Sequence, residues 1–162
     1  MNLITIDFET FYSKDFSLSK MTTEAYVRDP LFEVIGVSVK VNNEATEWAS
    51  GTHEQLKEYF NGFDWKDSMV LAHNTMFDGA ILSWVFDIHP RVWADTLCMG
   101  RAVHGVEVGG SLKALAERYQ IGVKGTEVLD AKGKNRLDFT DEELDRYGDY
   151  CINDVELTYK LF

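Results

Sequence analysis

Hydrophobic and polar positions along the chain follow two rhythms, one of period two and one of period 3.6. Residues 3 to 8 alternate, so a strand there turns Ile4, Ile6 and Phe8 to one side and leaves Asp7 and Glu9 on the other. Two more strand-like stretches, Phe32 to Val39 and Glu44 to Trp48, flank Asn42-Asn43, which reads as a hairpin turn. The short run Met69-Val70-Leu71-Ala72 is apolar throughout and fits a central strand buried on both faces, and Arg91 to Ala94 is strand-like again. Helical spacing links Leu56, Tyr59 and Phe60 within Thr52 to Asn61, then Phe77, Ile81, Leu82, Val85 and Phe86, then Leu112, Leu115, Ala116 and Tyr119 behind Ser111. Asp95 or Thr96 can cap a further helix. The last helix is the best marked: Thr140 and Glu143 form a capping-box pair, and Leu144, Tyr147, Cys151, Val155, Thr158 and Phe162 carry its stripe. Strands first and helices afterwards, with one short strand between helices, predict an α/β layer: a mixed central sheet flanked by helices on both faces.

Composition sets the scale. A chain of 162 residues, 45% of them hydrophobic, is read as one domain over residues 1–162, with no repeat and no Pro/Gly/Ser-rich linker. Pro30 and Pro90 act as local punctuation. No basic segment precedes a long apolar run at the start, and no 18 apolar residues follow one another, which predicts a cytoplasmic protein with no membrane span. Cys98 and Cys151 lack metal-type spacing and are expected to be buried free thiols. The net charge of −11 has the wrong sign for holding nucleic acid by phosphate neutralisation. A phosphate substrate would need bound divalent ions, stacking on aromatics, or a partner domain.

Three short constellations carry the candidate chemistry. Asp7 and Glu9 share one side of the first strand. Two carboxylates about 4 Å apart at an effective dielectric near 20 repel by roughly 4 kcal/mol, and no Lys or Arg lies within the run. A hard cation bound through oxygen is one remedy, and an edge strand with its polar face in water is the alternative. His73-Asn74-Thr75-Met76-Phe77-Asp78 follows the central apolar strand and opens a helix, the position at which open α/β sheets tend to bind ligands. Asp78 could equally be a helix cap. Tyr150 and Asp154 stand four apart on one face of the last helix, and Asp154 borders its buried stripe.

In order and spacing these segments resemble the Exo I, Exo II and Exo III motifs of the DEDD superfamily of 3′-to-5′ exonucleases: Asp-x-Glu, Asn-x-x-x-Asp and Tyr-x-x-x-Asp. Tyr150 stands four before Asp154, and Asp149 falls where the other branch has His, so the pattern resembles the DEDDy branch. Ala72-His73-Asn74 and Asp154-Val155-Glu156-Leu157-Thr158 are similar to the proofreading domain of family A DNA polymerases, phage-type ones in particular. The resemblance implies an RNase H-like fold and a two-metal phosphodiesterase using Mg²⁺ or Mn²⁺. Carried over, it places Asp7, Glu9 and Asp154 on one metal ion, Asp7 and Asp78 on the second, and Tyr150 against the attacking water. Asn74 and Phe77, with Thr10 and Phe11, would lie near the terminal nucleotide. Phe77 stands where some relatives have Tyr, which leaves a stacking face without a hydroxyl. Phe8 alternates away from the acids and is expected in the core.

The implied activity is a metal-dependent 3′-to-5′ DNA exonuclease of proofreading type, acting on a single-stranded 3′ end and releasing nucleoside 5′-monophosphates, in a domain excised from or partnered with a polymerase. An RNase D-like exoribonuclease shares the same residues, and a catalytically weak binding module needing a polymerase partner is the alternative outside enzymes. Lys124, Lys132, Lys134 and Arg136 form a basic loop read as solvated, though within reach of phosphates in principle. His73 is expected to be a neutral wall histidine. Oxygens of the four acids scattered beyond a metal-bridging distance, or one of them sealed in a salt link to Lys or Arg, would defeat the nuclease reading.

Overall fold

A computed structural model describes residues 1–125 and 131–162. In chain order the elements are β1 (Asn2–Thr10), α1 (Thr23–Val27), β2 (Val34–Val41), β3 (Glu47–Ser50), α2 (His53–Phe60), β4 (Ser68–Ala72), α3 (Thr75–Ala80), β5 (Val92–Asp95), α4 (Thr96–His104), α5 (Leu112–Tyr119) and α6 (Asp141–Leu161). The sheet order is β3-β2-β1-β4-β5, with β1–β2 and β2–β3 antiparallel and β1–β4 and β4–β5 parallel. This is the predicted mixed sheet. The sequence missed α1, a five-residue turn of helix capped by Thr22 inside what reads as an irregular stretch.

β1 lies at the centre, and its alternation decides the two layers. Ile4, Ile6 and Phe8 are buried with Val37, Val39, Leu56, Phe60, Val70, Ile81 and Phe86 in the main core, where Phe8 meets the Phe60 and Phe86 rings at 6.0 and 6.1 Å. The opposite side of β1 faces α6, whose Cys151, Asp154 and Val155 are buried against the sheet. Pairing between β1 and β2 slips at Glu9/Thr10, a bulge that ends regular pairing beside the second acid. Asn42 turns the β2–β3 connection with φ at 51°, as its place in the hairpin predicts.

The predicted capping box of Thr140 with Glu143 forms on α6, and a second, of Thr52 with Gln55, opens α2. α6 lies close to the sheet because it carries Gly148 beneath Trp48: a methyl group there would stand 2.5 Å from the indole Cδ1. Lys40 of β2 is buried, and its Nζ meets Glu156 of α6 at 2.8 Å, a second tie between helix and sheet. Cys151 is buried as expected, whereas Cys98 is exposed because the first turn of α4 sits at the sheet's β5 edge. Among the described residues no helix is long and apolar enough to cross a membrane.

Candidate active site

The end of β1 that carries Asp7 and Glu9 is approached by one helix from each layer. From α3, Asp78 reaches across the strand: its Oδ1 accepts a hydrogen bond from the Phe8 amide at 3.0 Å, the peptide between the two β1 acids. From α6, the Cys151 thiol donates to the Asp7 carbonyl at 3.2 Å, and Asp154 lies one turn further along. Asp7, Glu9 and Cys151 bring ligand atoms within 4.8 Å of one another. Asp78 and Asp154, 71 and 147 positions after Asp7, thus lie close enough to couple electrostatically with it, beside Glu9 two positions on.

Their electrostatics follow from that crowding. Asp7 and Glu9 are half-buried, Glu9 in the lining of a cleft, while Asp78 and Asp154 are buried. Burial, and then the charge of Asp154, push the Asp7 carboxyl from 3.8 up to about 7. Burial followed by the charge of Asp7 holds both Glu9 and Asp78 well above the ordinary carboxylate range. Asp154 is also raised by burial, against the opposing pull of Lys124.

Lys124 corrects the sequence reading. It is not a solvated loop residue: its side chain is three-quarters covered and its ammonium pairs with Asp154 Oδ2. It also lies 5.0 Å from the centre of the Tyr150 ring. Burial opposes that charge, but the carboxylate outweighs it and raises Lys124 above its usual value. Such a link on one of the four acids counts against a cation site, and its extent decides the matter. It occupies one oxygen of Asp154 and leaves Oδ1 buried without a partner. One ammonium against four carboxylates leaves most of the repulsion unrelieved, so an all-oxygen donor set with an orphaned buried oxygen fits hard divalent ions. Lys134 of the same loop pairs with Glu143 at 2.7 Å, and residues 126–130 of the loop lie outside the described residues.

The remaining predicted residues separate into two groups. Tyr150 is buried on α6 beside Asp154 and Lys124, with its hydroxyl raised by burial. Thr10 and Phe77 line a cleft of about 370 Å³ that also includes Glu9. Phe11 instead stacks on Phe16 at 5.9 Å. Asn74 takes a left-handed turn with φ at 77°, and its amide bonds Asp95 at 3.1 Å, so its backbone starts α3 rather than walling the cleft. Phe8 belongs to the core, as expected, and touches the cleft from beneath.

Tyr147 is a cleft residue that the sequence reading placed only in the α6 stripe. Its hydroxyl interacts with Glu9, and its ring shares the cleft wall with Phe77. An aromatic one turn from Tyr150 cannot be told from a core position by spacing alone. Asp95 proves to be a cap for two helices: it receives the amides of Asn74 and Thr75 at 3.1 and 3.2 Å and that of Leu97 at 2.8 Å. His73 is a wall residue, bonded at 2.8 Å on each side to Thr96 and to the Gly110 carbonyl, and burial lowers its pKa.

No family model and no curated protein matches the chain. Solved structures do. The RNase D of Trypanosoma brucei aligns with a TM-score of 0.72 at 14% identity, covering 98% of this chain and 55% of that one. Brucella melitensis NrnC aligns with a TM-score of 0.65 at 13% identity, covering 98% and 69%. The family B DNA polymerase of the archaeon Pyrobaculum calidifontis aligns at 0.65 with 17% identity, covering 99% of this chain and 24% of that polymerase. At such identities the likeness establishes the fold alone, the RNase H-like mixed sheet flanked by helices. The expected leaning towards phage-type family A polymerases finds no support among these neighbours.

Proposed function

We propose that this chain is a metal-dependent 3′-to-5′ exonuclease that removes nucleoside 5′-monophosphates from a single-stranded end. The observation that carries the reading is the meeting of Asp7, Glu9, Asp78 and Asp154 at one end of β1, with Asp154 Oδ1 buried and unpaired. When bound, Mg²⁺ or Mn²⁺ ions, one held by Asp7, Glu9 and Asp154 and one by Asp7 and Asp78, would supply charge stabilisation of the entering and leaving oxygens at phosphorus. A structure of the Brucella melitensis NrnC neighbour holds Mg²⁺, which agrees with this donor set.

The chain's own groups do the rest. Tyr150, fixed between Asp154 and Lys124, places its hydroxyl to orient the attacking water. The cleft of about 370 Å³ offers the faces of Phe77 and Tyr147 to the terminal base and the hydroxyl of Thr10 to its sugar. Cys151 holds Asp7 from behind through its S–H bond to the Asp7 carbonyl. Neutral His73 pins Gly110, and with it the segment before α5, beside the site.

The motif resemblance assigns DNA as the substrate, with a polymerase domain as the partner in a cytoplasmic setting. An RNA end is the second reading, favoured by the RNase D neighbour, one structure of which carries RNA U12. One assay tests both. A 5′-labelled DNA strand and its RNA counterpart, each incubated in Mg²⁺ and in EDTA, are expected to give a single-nucleotide ladder in Mg²⁺ alone, the faster ladder naming the sugar. Loss of the label as a mononucleotide at the first turnover, or cleavage that persists in EDTA, rules the reading out.

A further inference from the structure

The acid cluster contains a sulfur as well as oxygens. Cys151 lies on the face of α6 that rests on β1 and β2, where Asp7 pairs across the sheet with Ser38. Its Sγ is 3.2 Å from the Asp7 carbonyl oxygen and 3.6 Å from Asp7 Oδ2. Glu9 completes a trio, with one ligand atom from each of the three residues within 4.8 Å of the others. Zinc bonds of about 2.3 Å to sulfur and about 2.1 Å to a carboxylate oxygen, opened to a tetrahedral angle, set sulfur and oxygen about 3.6 Å apart. The separation of Cys151 Sγ from Asp7 Oδ2 already has that length. Asp154 Oδ1, buried and unpaired, belongs to a residue whose charge acts on both Asp7 and Glu9, and it is the oxygen available for the fourth corner.

We infer that Cys151, Asp7 and Glu9 form a seat for one thiophilic divalent ion of the Zn²⁺ class, which switches the exonuclease off by holding two carboxylates that the hard ions need. The regulatory half of this rests on the exonuclease reading, while the seat itself stands on geometry. Mg²⁺ has little affinity for sulfur, whereas Zn²⁺ and Cd²⁺ take thiolate readily. Uptake exchanges the thiol proton for the ion: the S–H bond breaks, its electron pair forms the metal–sulfur bond, and the proton leaves to solvent. The hydrogen bond from the thiol to the Asp7 carbonyl is given up in the same step. Charge favours the exchange, since a divalent cation enters a group of four carboxylates of which Lys124 pairs with one. Asp7 serves both proposed hard ions and Glu9 one of them, so an ion drawn towards sulfur leaves neither hard site complete. Cys98, the other cysteine of the chain, is exposed at the start of α4 and bonds Asp95 at 3.3 Å, which makes it the internal control.

Cadmium reads the seat directly, through the ultraviolet charge-transfer band of a cadmium–thiolate bond. In the whole chain carrying Cys98→Ser, which leaves Cys151 as the single thiol, one equivalent of Cd²⁺ is expected to raise that band. Excess Mg²⁺ should lower it, and adding Asp7→Asn should weaken Cd²⁺ binding by about 10-fold or more, the share of one charged ligand. Neither comparison alters Cys151, so both hold even if replacing that residue prevents folding. With Cys98→Ser and Cys151→Ser combined, the band should vanish. The Zn²⁺ concentration that halves Mg²⁺-dependent hydrolysis, taken against each variant's own uninhibited rate, should rise by about 10-fold or more when Cys151→Ser is added. No band in Cys98→Ser, or a band indifferent to both Mg²⁺ and Asp7→Asn, overturns the seat even where the strand is shortened normally. Equal sensitivity to Zn²⁺ with and without Cys151→Ser overturns the regulation. A band in a chain that shortens no strand in Mg²⁺ overturns the exonuclease reading and leaves the seat standing.

Discussion

Asp7 and Asp154 are both carboxylates of one cluster, yet their removal should act in opposite directions on stability. On Asp7, burial and the charge of Asp154 outweigh the pull of Lys124, so Asp7→Asn is expected to stabilise the metal-free fold by on the order of 1 kcal/mol, seen as a higher urea midpoint. Asp154→Asn strands the covered ammonium of Lys124 and should cost about 1–2 kcal/mol, a figure reduced from the fully buried case because Lys124 keeps some solvent contact. Both variants should lose at least about 10²-fold in hydrolysis, as expected when groups that stabilise transition-state charge are removed. Turnover near wild type in either one is incompatible with the assigned roles. Tyr150→Phe keeps the ring against Lys124 and removes the hydroxyl, so kcat should fall by about 10- to 100-fold with KM little changed, read from steady-state kinetics.

The elements show why local propensity is an incomplete guide. Gly148 lies in the middle of α6, where alanine would add helix propensity worth up to about 1 kcal/mol. The indole of Trp48 occupies the space that a methyl group would take, so Gly148→Ala is expected to destabilise by about 1–3 kcal/mol, measured by chemical denaturation. A stabilised variant would mean that α6 does not press on β3 as described. Asp95 joins two elements, starting α3 and capping α4 at the carboxyl ends of neighbouring parallel strands. Its loss would loosen the turn that aims Asp78, which explains why a residue legible as a plain cap still bears on the site.

For the molecule as a whole, the decisive quantity is the charge collected at one end of β1. Asp7 titrates near 3.8 in an unfolded chain and about 7 when folded, so between those values the native state holds the extra proton. Stability therefore falls as pH rises from about 4 to about 7 in the metal-free protein, and its contribution is complete only below the lower value. Thermal melts across that range in EDTA should show the decline, and saturating Mg²⁺ should flatten it, because the ions take the place of the proton. At neutral pH, divalent ion at 100 times its dissociation constant adds about 2.7 kcal/mol, or roughly 5–10 °C in a chain of this size. Melting unaffected by Mg²⁺ and Mn²⁺ would contradict a preformed site. If the proposed function holds, the same field is expected to make single-strand binding depend on divalent ions, since a net charge of −11 repels phosphates until the site is neutralised.

Periodicity placed the five strands and the split of β1 into an apolar and an acidic side, and residue type marked the turn at Asn42-Asn43 and the helix starts at Ser111 and Thr140. Those features are local: each depends on residues within a few positions, and backbone geometry converts that spacing directly into a face or a cap. The candidate site was legible as a motif order, because each acid sits at an element end or on a face that its neighbours define. What Asp154, Tyr147 and Lys124 touch was not, since those contacts join residues 30 to 138 positions apart and depend on how α6 lies on the sheet. A lysine in a Gly-containing loop reads as solvated until a strapped segment delivers it to a buried carboxylate. Only packing decides whether a charge meets water, a metal ion or another side chain.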